Sequence, residues 1–531
     1  MKIFRSSTLA VLVTGLTASG LTASGLTVSG LTSAQPAQAP AAVQQTPLTE
    51  QLDALLADPR FTGSQVGLVV RDASTGEEVY DRNGGSRLLP ASNIKLFTSA
   101  AAMDLLGPEF RFHTDALAAA PVLDGKLRGD LYLKGYGDPT ALESDYQALA
   151  KQVAAAGIRR VDGDLVADDS YFDSVRLGPF WSWDDEPFYY SAQTSALTVA
   201  PNTDYDSGTV IVESTPGTSV GAPVQLRLVP ETSAVQLVST ATTGAAGSAN
   251  TLSIEREHGS NVVRVTGSVP LGASTGQEWV TVWEPAGYAA DVFRRALQSA
   301  GVEVRGRIRT GVTPDGTRRL ALDESMTVGE LMTPFLKLSN NMHAEALVKT
   351  MGAVAAGNGS WSAGLVPVAG YLSSVGVDTG TLRLTDGSGL SRADNLTADA
   401  IADLLVAARA EPWFEQWYAS LPIAGNPDRF VGGTLRSRMR GTPAENNVHA
   451  KTGSLTGVTA LSGYVTDADG RKLVFSMMSN NYLSSPRTVE DAVAVTLASY
   501  TSAGTAAAVR PAQTRVSGPE AELECSWVKA C

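Results

Sequence analysis

The chain has 531 residues, 43% hydrophobic and 18% charged, and a formal net charge of −13 at pH 7. That length exceeds one ordinary domain and implies roughly two to four, and the acidic balance argues against nucleic acid or an anionic membrane face held by general electrostatics. His113, His258, His343 and His449 are scattered without metal-ligand spacing, and no glycine-rich phosphate loop occurs, so no metal and no cofactor is expected.

The N-terminus reads as an export signal. Lys2 and Arg5 precede a short apolar run from Leu9 to Leu16. The signal is taken as residues 1–34, with the cut open among Ala34, Ala39 and Ala41. A Leu-Thr-Ala-Ser-Gly repeat follows the apolar run, which falls short of the roughly 20 residues a membrane span needs, so any membrane association is at most peripheral. Thr46-Pro47 then opens a helix to about Ala57. Gln65 to Asp72 alternates as a strand, and Glu77 to Asp81 returns after a turn. Next comes Pro90-Ala-Ser-Asn-Ile-Lys-Leu-Phe-Thr98, a helix start that Gly107-Pro108 terminates. Ile94, Phe97, Ala101 and Leu105 give it a buried stripe. Ser92 and Lys95 are three apart and share one face. A serine hydroxyl is a weak nucleophile, and a deprotonated lysine one turn away can take its proton.

From Phe110 to about Leu320 the texture changes. Leu127 to Gly135 and Arg160 to Ala167 read as strands around a helix from Ser144 to Ala156. Thr209 to Trp283 is almost entirely β-like. A helix from Ala289 to Gly301 and a strand from Val304 to Arg309 follow. This stretch reads as accessory domains inserted into the unit that carries Ser92.

Thr327-Val-Gly-Glu330 is a capping box for a helix to Lys337. Ser339-Asn340-Asn341 falls on the break before a helix from Met342 to Val354, where side chains can be aimed into a cleft. Asp386-Gly-Ser-Gly-Leu-Ser-Arg392 reads as a glycine-rich loop after a strand, with a helix from Leu396 to Arg409 beyond it. Three strands close the unit: Asn447 to Thr452, carrying Lys451-Thr-Gly-Ser454; Gly457 to Thr466; and Lys472 to Ser479. A helix from Pro486 to Tyr500 follows, with Ser485 as its cap. First and last segments are expected to share one sheet. Cys525 and Cys531 lie in an Ala/Pro/Thr/Ser-rich tail, where export leaves them free to close a small loop.

Each motif alone is common. In the order Ser-x-x-Lys, Ser-x-Asn, Lys-Thr-Gly they form the signature of penicillin-recognising serine enzymes. With the long insertion, the Asp386–Arg392 loop, and Trp181-Ser-Trp-Asp-Asp-Glu-Pro187 followed by Tyr189-Tyr190-Ser-Ala192, the chain resembles the three-domain D-alanyl-D-alanine carboxypeptidases/endopeptidases, the low-molecular-mass class C penicillin-binding proteins of actinobacterial type. The resemblance spans about Pro47 to Thr501. It implies an α/β multi-domain fold: a transpeptidase/β-lactamase-like domain, its antiparallel sheet flanked by helices, with two nested inserted domains, the inner one mostly β. The expected partition is a catalytic unit at 46–110 and 321–501, an α/β insertion at 111–195 and 285–320, a nested β-rich unit at 196–284, and a flexible tail at 502–531.

The resemblance also implies roles. Ser92 is the nucleophile and Lys95 its base, Ser339 relays a proton toward the leaving amine, Asn341 bonds the substrate amide, and Lys451 with Thr452 holds the terminal carboxylate. Gly453 leaves room for a peptide along the strand edge. The oxyanion hole is made of the amides of Ser92 and Ser454. Asp185 and Arg392, with Leu455 and Thr456, are placed at a side-chain pocket suited to a zwitterionic end such as that of diaminopimelate. Physically, a cation at Lys451 attracts a carboxylate and eases proton loss from Lys95. The expected function is an exported, extracytoplasmic serine carboxypeptidase/endopeptidase acting on peptidoglycan stem peptides, with β-lactams as acylating inhibitors. Alternatives are a serine β-lactamase, for which no Glu-x-x-Leu-Asn stretch is found, and a non-catalytic wall-binding protein, against which the intact motifs argue. His449, on the strand face of Lys451, and His343 are read as structural. The acidic runs Asp168-Asp169 and Asp184-Asp185-Glu186 are read as solvated rather than metal-binding, and the Trp181/Trp183 and Tyr189-Tyr190 pairs as packing.

Overall fold

A computed structural model describes residues 47–502. The export signal, its cut site and both cysteines lie outside them. The first and last strands do share a sheet. Its order is Glu78–Arg82, Gln65–Asp72, Lys472–Asn480, Val458–Thr466, His449–Leu455, antiparallel throughout. Both faces are buried, and strand alternation divides the side chains between two cores. Val69, Val474, Met478, Ala460 and Tyr464 face one core, with Phe97, Phe335, Leu347 and Leu404 from the helices Lys95–Leu105, Val328–Lys337, Asn341–Ala356 and Ala398–Ala408. Leu68, Val70, Leu461, Phe475 and Met477 face the other, against Leu48–Leu56 and Arg487–Ser499. Each fully buried Val, Leu or Phe contributes about 1.5–3 kcal/mol, so the sheet is fixed from both sides. Its outer strand, which carries the third motif, is fixed with it.

The long insertion leaves and returns on paired strands. Arg111–Ala118 runs antiparallel to Arg318–Thr327, and the amides of Val328 and Gly329 donate to the carbonyls of Phe110 and Pro108. Within it a five-stranded sheet has the order Ile308–Thr310, Leu165–Asp168, Leu131–Gly135, Arg111–Ala118, Arg318–Thr327. Helices Glu143–Ala155 and Pro285–Ser299 pack against it. Eight short strands between Thr209 and Thr281 form the β-rich part. One apolar core from Ala116 to Ala321 runs through the insertion.

Several sequence boundaries shift for identifiable reasons. The strands expected at 127–135, 160–167 and 304–309 are each broken in two, and the breaks align. Gly163 donates to the Gly129 carbonyl and Gly306 to that of Gly163, and a Cβ on Gly163 would sit 2.5 Å from the Gly129 carbonyl carbon. Three chains thus cross from a small four-stranded sheet to the larger one through stacked glycines, where no side chain fits. The helix expected from Ala289 starts at Pro285, whose preset φ suits a first turn. Ser485 is not a cap: Pro486 occupies that position, without a side-chain bond. The loop at Asp386 follows only an isolated bridge, Arg383 to Asn395, rather than a strand. The capping box is as expected, with Thr327 Oγ1 accepting from the Glu330 amide at 3.1 Å and Glu330 accepting in return from the Thr327 amide at 2.8 Å. The acidic runs are only partly solvated. Asp168 is fully buried and accepts from the amides of Ser170 and Thr313, and Glu186 is buried against Arg256. Among the described residues no acidic or histidine cluster could hold a metal.

Candidate active site

Ser92 does not lie in the α-helix itself. Ala91–Ile94 is a 3₁₀ turn entered through Ala91 at φ 46°, and the α-helix begins at Lys95. In a 3₁₀ turn, residues three apart eclipse. That stacks Lys95 on Ser92, with Nζ 2.7 Å from the hydroxyl oxygen. Lys95 is fully buried. Its nitrogen also lies 2.6 Å from Asn341 Oδ1 and 2.7 Å from the Ser388 carbonyl. Asn341 Nδ2 donates to the Tyr190 carbonyl at 2.8 Å, which fixes the amide so that its oxygen faces Lys95.

These contacts decide what Lys95 can do. Asn341 Oδ1 and the Ser388 carbonyl only accept. In the neutral amine they take the two N–H bonds, and the lone pair then faces the Ser92 O–H. The same three oxygens fit the three N–H bonds of the ammonium. The site therefore accommodates both states of a base that accepts the serine proton and returns it.

The second motif comes from a break between helices. Ser339 sits at φ 57°, the left-handed region, which a serine occupies at a cost. Asn340 caps the next helix and Asn341 is its first residue. The twist turns Ser339 toward the third motif, with its hydroxyl oxygen 2.7 Å from Lys451 Nζ. Lys451 is also fully buried and donates to the Thr452 carbonyl at 2.7 Å. The structure thus gathers Ser92, Lys95, Ser339, Asn341 and Lys451 from three distant stretches into one cluster.

The outer edge of the His449–Leu455 strand is covered only in part. Ala424 and Ala450 exchange bonds with Val448 and Pro422 there. Since alternate amides face alternate edges, Thr452 and Ser454 present theirs on the same side beyond that cover. Thr452 Oγ1 bonds Thr434 Oγ1 at 2.8 Å, and Ser454 Oγ accepts from Arg487 at 3.0 Å. Gly453 corrects the sequence reading. A Cβ there would lie 2.8 Å from the Pro90 carbonyl oxygen and 3.2 Å from the Ala91 Cβ. The space Gly453 leaves is filled by the turn carrying Ser92, not kept for a peptide, and Asn93 closes that contact by donating to the Lys451 carbonyl.

Asp185 and Arg392 lie near each other without a direct bond. The Asp185 carboxyl accepts from Tyr190 O–H at 2.9 Å; half-burial pushes its pKa up, while Tyr190 and the Arg392 charge pull it down. Arg392 is exposed and donates to the Thr456 carbonyl at 3.0 Å. His449 stands in the wall, not in the cleft: it stacks on Tyr418 at 4.3 Å, and burial, then the Lys337 charge, lowers its pKa to about 4. His343 is fully buried beside the Tyr205 carbonyl, and burial lowers it to about 3.

Sequence reasoning missed Glu345. It is completely buried in the Asn341–Ala356 helix, where its carboxylate accepts from the amides of Gly387 and Ser388 and from Trp361 Nε1, at 3.0, 2.9 and 2.6 Å. Burial, then the Asp386 charge, pushes it up to about 7. Asp386 in turn accepts from the amides of Gly389 and Ser391 and from Trp181 Nε1. Together they shape the loop whose Ser388 carbonyl meets Lys95. A glutamate within a helix and a backbone carbonyl carry no motif; only the unusual burial of a carboxylate marks them.

Comparison with known proteins follows the same outline. The model of the D-Ala-D-Ala carboxypeptidase 3 (S13) family matches residues 48–500. A D-alanyl-D-alanine carboxypeptidase of Actinomadura sp. (strain R39) is 49% identical over 504 residues, 94% of this chain and 93% of that protein. The crystal structure of penicillin binding protein 4 from Haemophilus influenzae superposes with a TM-score of 0.70 at 27% identity, covering 82% of this chain and 94% of that one. A second structure of the Haemophilus protein, complexed with a β-lactam, gives a TM-score of 0.67 at 24% identity, covering 84% and 98%.

Proposed function

The chain belongs to the D-Ala-D-Ala carboxypeptidase 3 (S13) family and is a serine-type D-Ala-D-Ala carboxypeptidase, and from that premise we propose that it is exported and trims peptidoglycan stem peptides through an acyl-Ser92 intermediate. The observation that carries the mechanism is Lys95 Nζ, buried and 2.7 Å from the Ser92 hydroxyl.

Ser92 Oγ attacks the carbonyl of the penultimate D-alanine while its proton passes to Lys95. The oxyanion lies between the amides of Ser92 and Ser454, the second of which the strand turns to its open edge. Losing one such donor costs on the order of 10²–10³ in rate. Lys451 and Thr452 receive the terminal carboxylate, and Ser339 passes a proton to the departing D-alanine nitrogen. Water then cleaves the acyl-serine ester. A β-lactam enters the same way: its ring carbonyl is attacked, the C–N bond opens, and the fragment stays tethered. Asp185 and Arg392 face the side chain of the preceding stem residue and favour one ending in both an amine and a carboxylate. The division between the catalytic unit and the insertion is supported by the separate cores on either side of the 110–328 junction, while one core joins the two expected inserted units. Among the described residues no helix is long and apolar enough to cross a membrane.

The test is release of D-alanine from acyl-D-Ala-D-Ala peptides and cleavage of cross-linked muropeptides into their separate stems. Wild type is expected to release it from the first and to split the second, with both activities absent from Ser92→Ala. Unchanged release by that variant would overturn the reading.

A further inference from the structure

We propose that Arg256, in the β-rich part of the insertion, is a specificity-determining positioning residue: it holds the 183–191 segment so that Asp185 faces the substrate. The inference rests on the side-chain pocket proposed above.

Arg256 ends the Ser253–Arg256 strand and is its one buried residue, with a side chain only 1% exposed. All five of its N–H bonds are placed. Nε donates to Thr281 Oγ1 at 3.0 Å. Nη1 donates to the carbonyls of Glu257 and Ser260 at 2.9 and 2.6 Å. Nη2 donates to the Glu186 carbonyl at 3.1 Å and to the Glu186 carboxylate. A buried guanidinium is costly unless every donor is met, and here two of the five go to Glu186, the neighbour of Asp185. Other contacts grip the same segment. Thr281 Oγ1 donates to the Glu186 carbonyl at 2.9 Å, Phe188 forms a β-bridge with Val280, and His258 Nδ1 lies 2.8 Å from Glu186 Oε2.

The segment so gripped reaches the cleft from its other side. Tyr190 O–H donates to Asp185 and the Tyr190 carbonyl accepts from Asn341. The Asn341 contact anchors Tyr190 near Lys95 whether or not Arg256 is present. Among the described residues Asp185, directly before Glu186, meets the main domain only through its neighbours: the Tyr190 hydroxyl on its carboxyl, and upstream Trp181 Nε1 on Asp386 and the Arg392 amide on the Phe180 carbonyl. Losing Arg256 releases the Glu186 backbone beside Asp185 while the Asn341–Tyr190 contact stays, so it shifts the pocket carboxylate before it disturbs the reacting groups.

The experiment uses two acyl-D-Ala-D-Ala peptides that differ only in the preceding side chain, one ending in a free amine and carboxylate, the other in a methyl group, with benzylpenicillin acylation as a third readout. In Arg256→Ala, kcat/KM for the zwitterionic peptide is expected to fall at least tenfold, mainly through KM. The methyl-ended peptide and benzylpenicillin should stay within about twofold, and Arg256→Lys should recover part of the preference. An equal loss on all three, or no loss, overturns the positioning role. Wild type with no preference between the peptides sinks the pocket itself, and this inference with it. Should Arg256→Ala not fold, Glu186→Gln removes the same ion pair, with the same selective loss expected and the same equal loss overturning it.

Discussion

Asn341→Asp is the sharpest perturbation of the reacting groups, because it changes charge while leaving shape. Asn341 Oδ1 lies 2.6 Å from Lys95 Nζ, and its amide nitrogen donates to the Tyr190 carbonyl. A carboxylate at that distance, at an effective dielectric of about 20, attracts an ammonium by about 6 kcal/mol. Burying the new carboxylate and losing the Tyr190 bond offset roughly half. About 3 kcal/mol remains in favour of protonated Lys95, a shift of roughly two pH units. If Lys95 must be neutral to receive the Ser92 proton, acylation at neutral pH falls about 100-fold and recovers tenfold per unit as pH rises. The assay is the pseudo-first-order rate of benzylpenicillin adduct formation from pH 6 to 10, read by intact mass. Asn341→Ala serves as control: it slows acylation without moving the midpoint upward. A midpoint in Asn341→Asp identical to wild type would refute Lys95 as the base.

Other expectations follow from the same geometry. Lys95→Met keeps the buried volume and removes the base, so benzylpenicillin acylation should drop by 10²–10⁴ while the far-UV spectrum is unchanged, about the range for loss of a general base. Phe97→Ala empties a fully buried position in the core behind Ser92 and should cost about 3–5 kcal/mol in urea unfolding. His343, lowered to about 3 by burial, should show no imidazole NMR titration between pH 5 and 8. The unfolded chain takes that proton below about pH 6.5, so the contribution of His343 to stability is complete above that pH and falls by about 1.4 kcal/mol per unit as pH drops toward 3.

The cluster of Ser92, Lys95, Ser339, Asn341 and Lys451 was legible because the proposed chemistry needs particular residue types at short spacing. In that proposal Ser92 and Lys95 must lie within one turn, and Lys451 must stand on a strand beside Thr452, Gly453 and Ser454. The shared sheet was legible from the alternation of Gln65–Asp72 and the matching strands near the C-terminus. Other features leave no trace in a linear pattern. The 3₁₀ turn that stacks Lys95 on Ser92 depends on Ala91 in a left-handed conformation, which alanine does not announce. The Ser388 carbonyl and the Glu345 carboxylate behind it act through backbone groups brought together by the fold. Gly453 was read as clearance for a peptide because sequence shows that a side chain is missing, not which neighbour fills the space. Arg256 lies far along the chain from Glu186, and nothing near it in sequence points to the cleft.

The most direct test of the account is intact-mass spectrometry of the mature protein with benzylpenicillin, beside Ser92→Ala. Wild type is expected to carry a persistent adduct of one drug mass, located to the peptide containing Ser92, and the variant none. Rapid drug turnover with no surviving adduct would instead indicate a β-lactamase, and an adduct that survives in Ser92→Ala would contradict the assignment of the nucleophile.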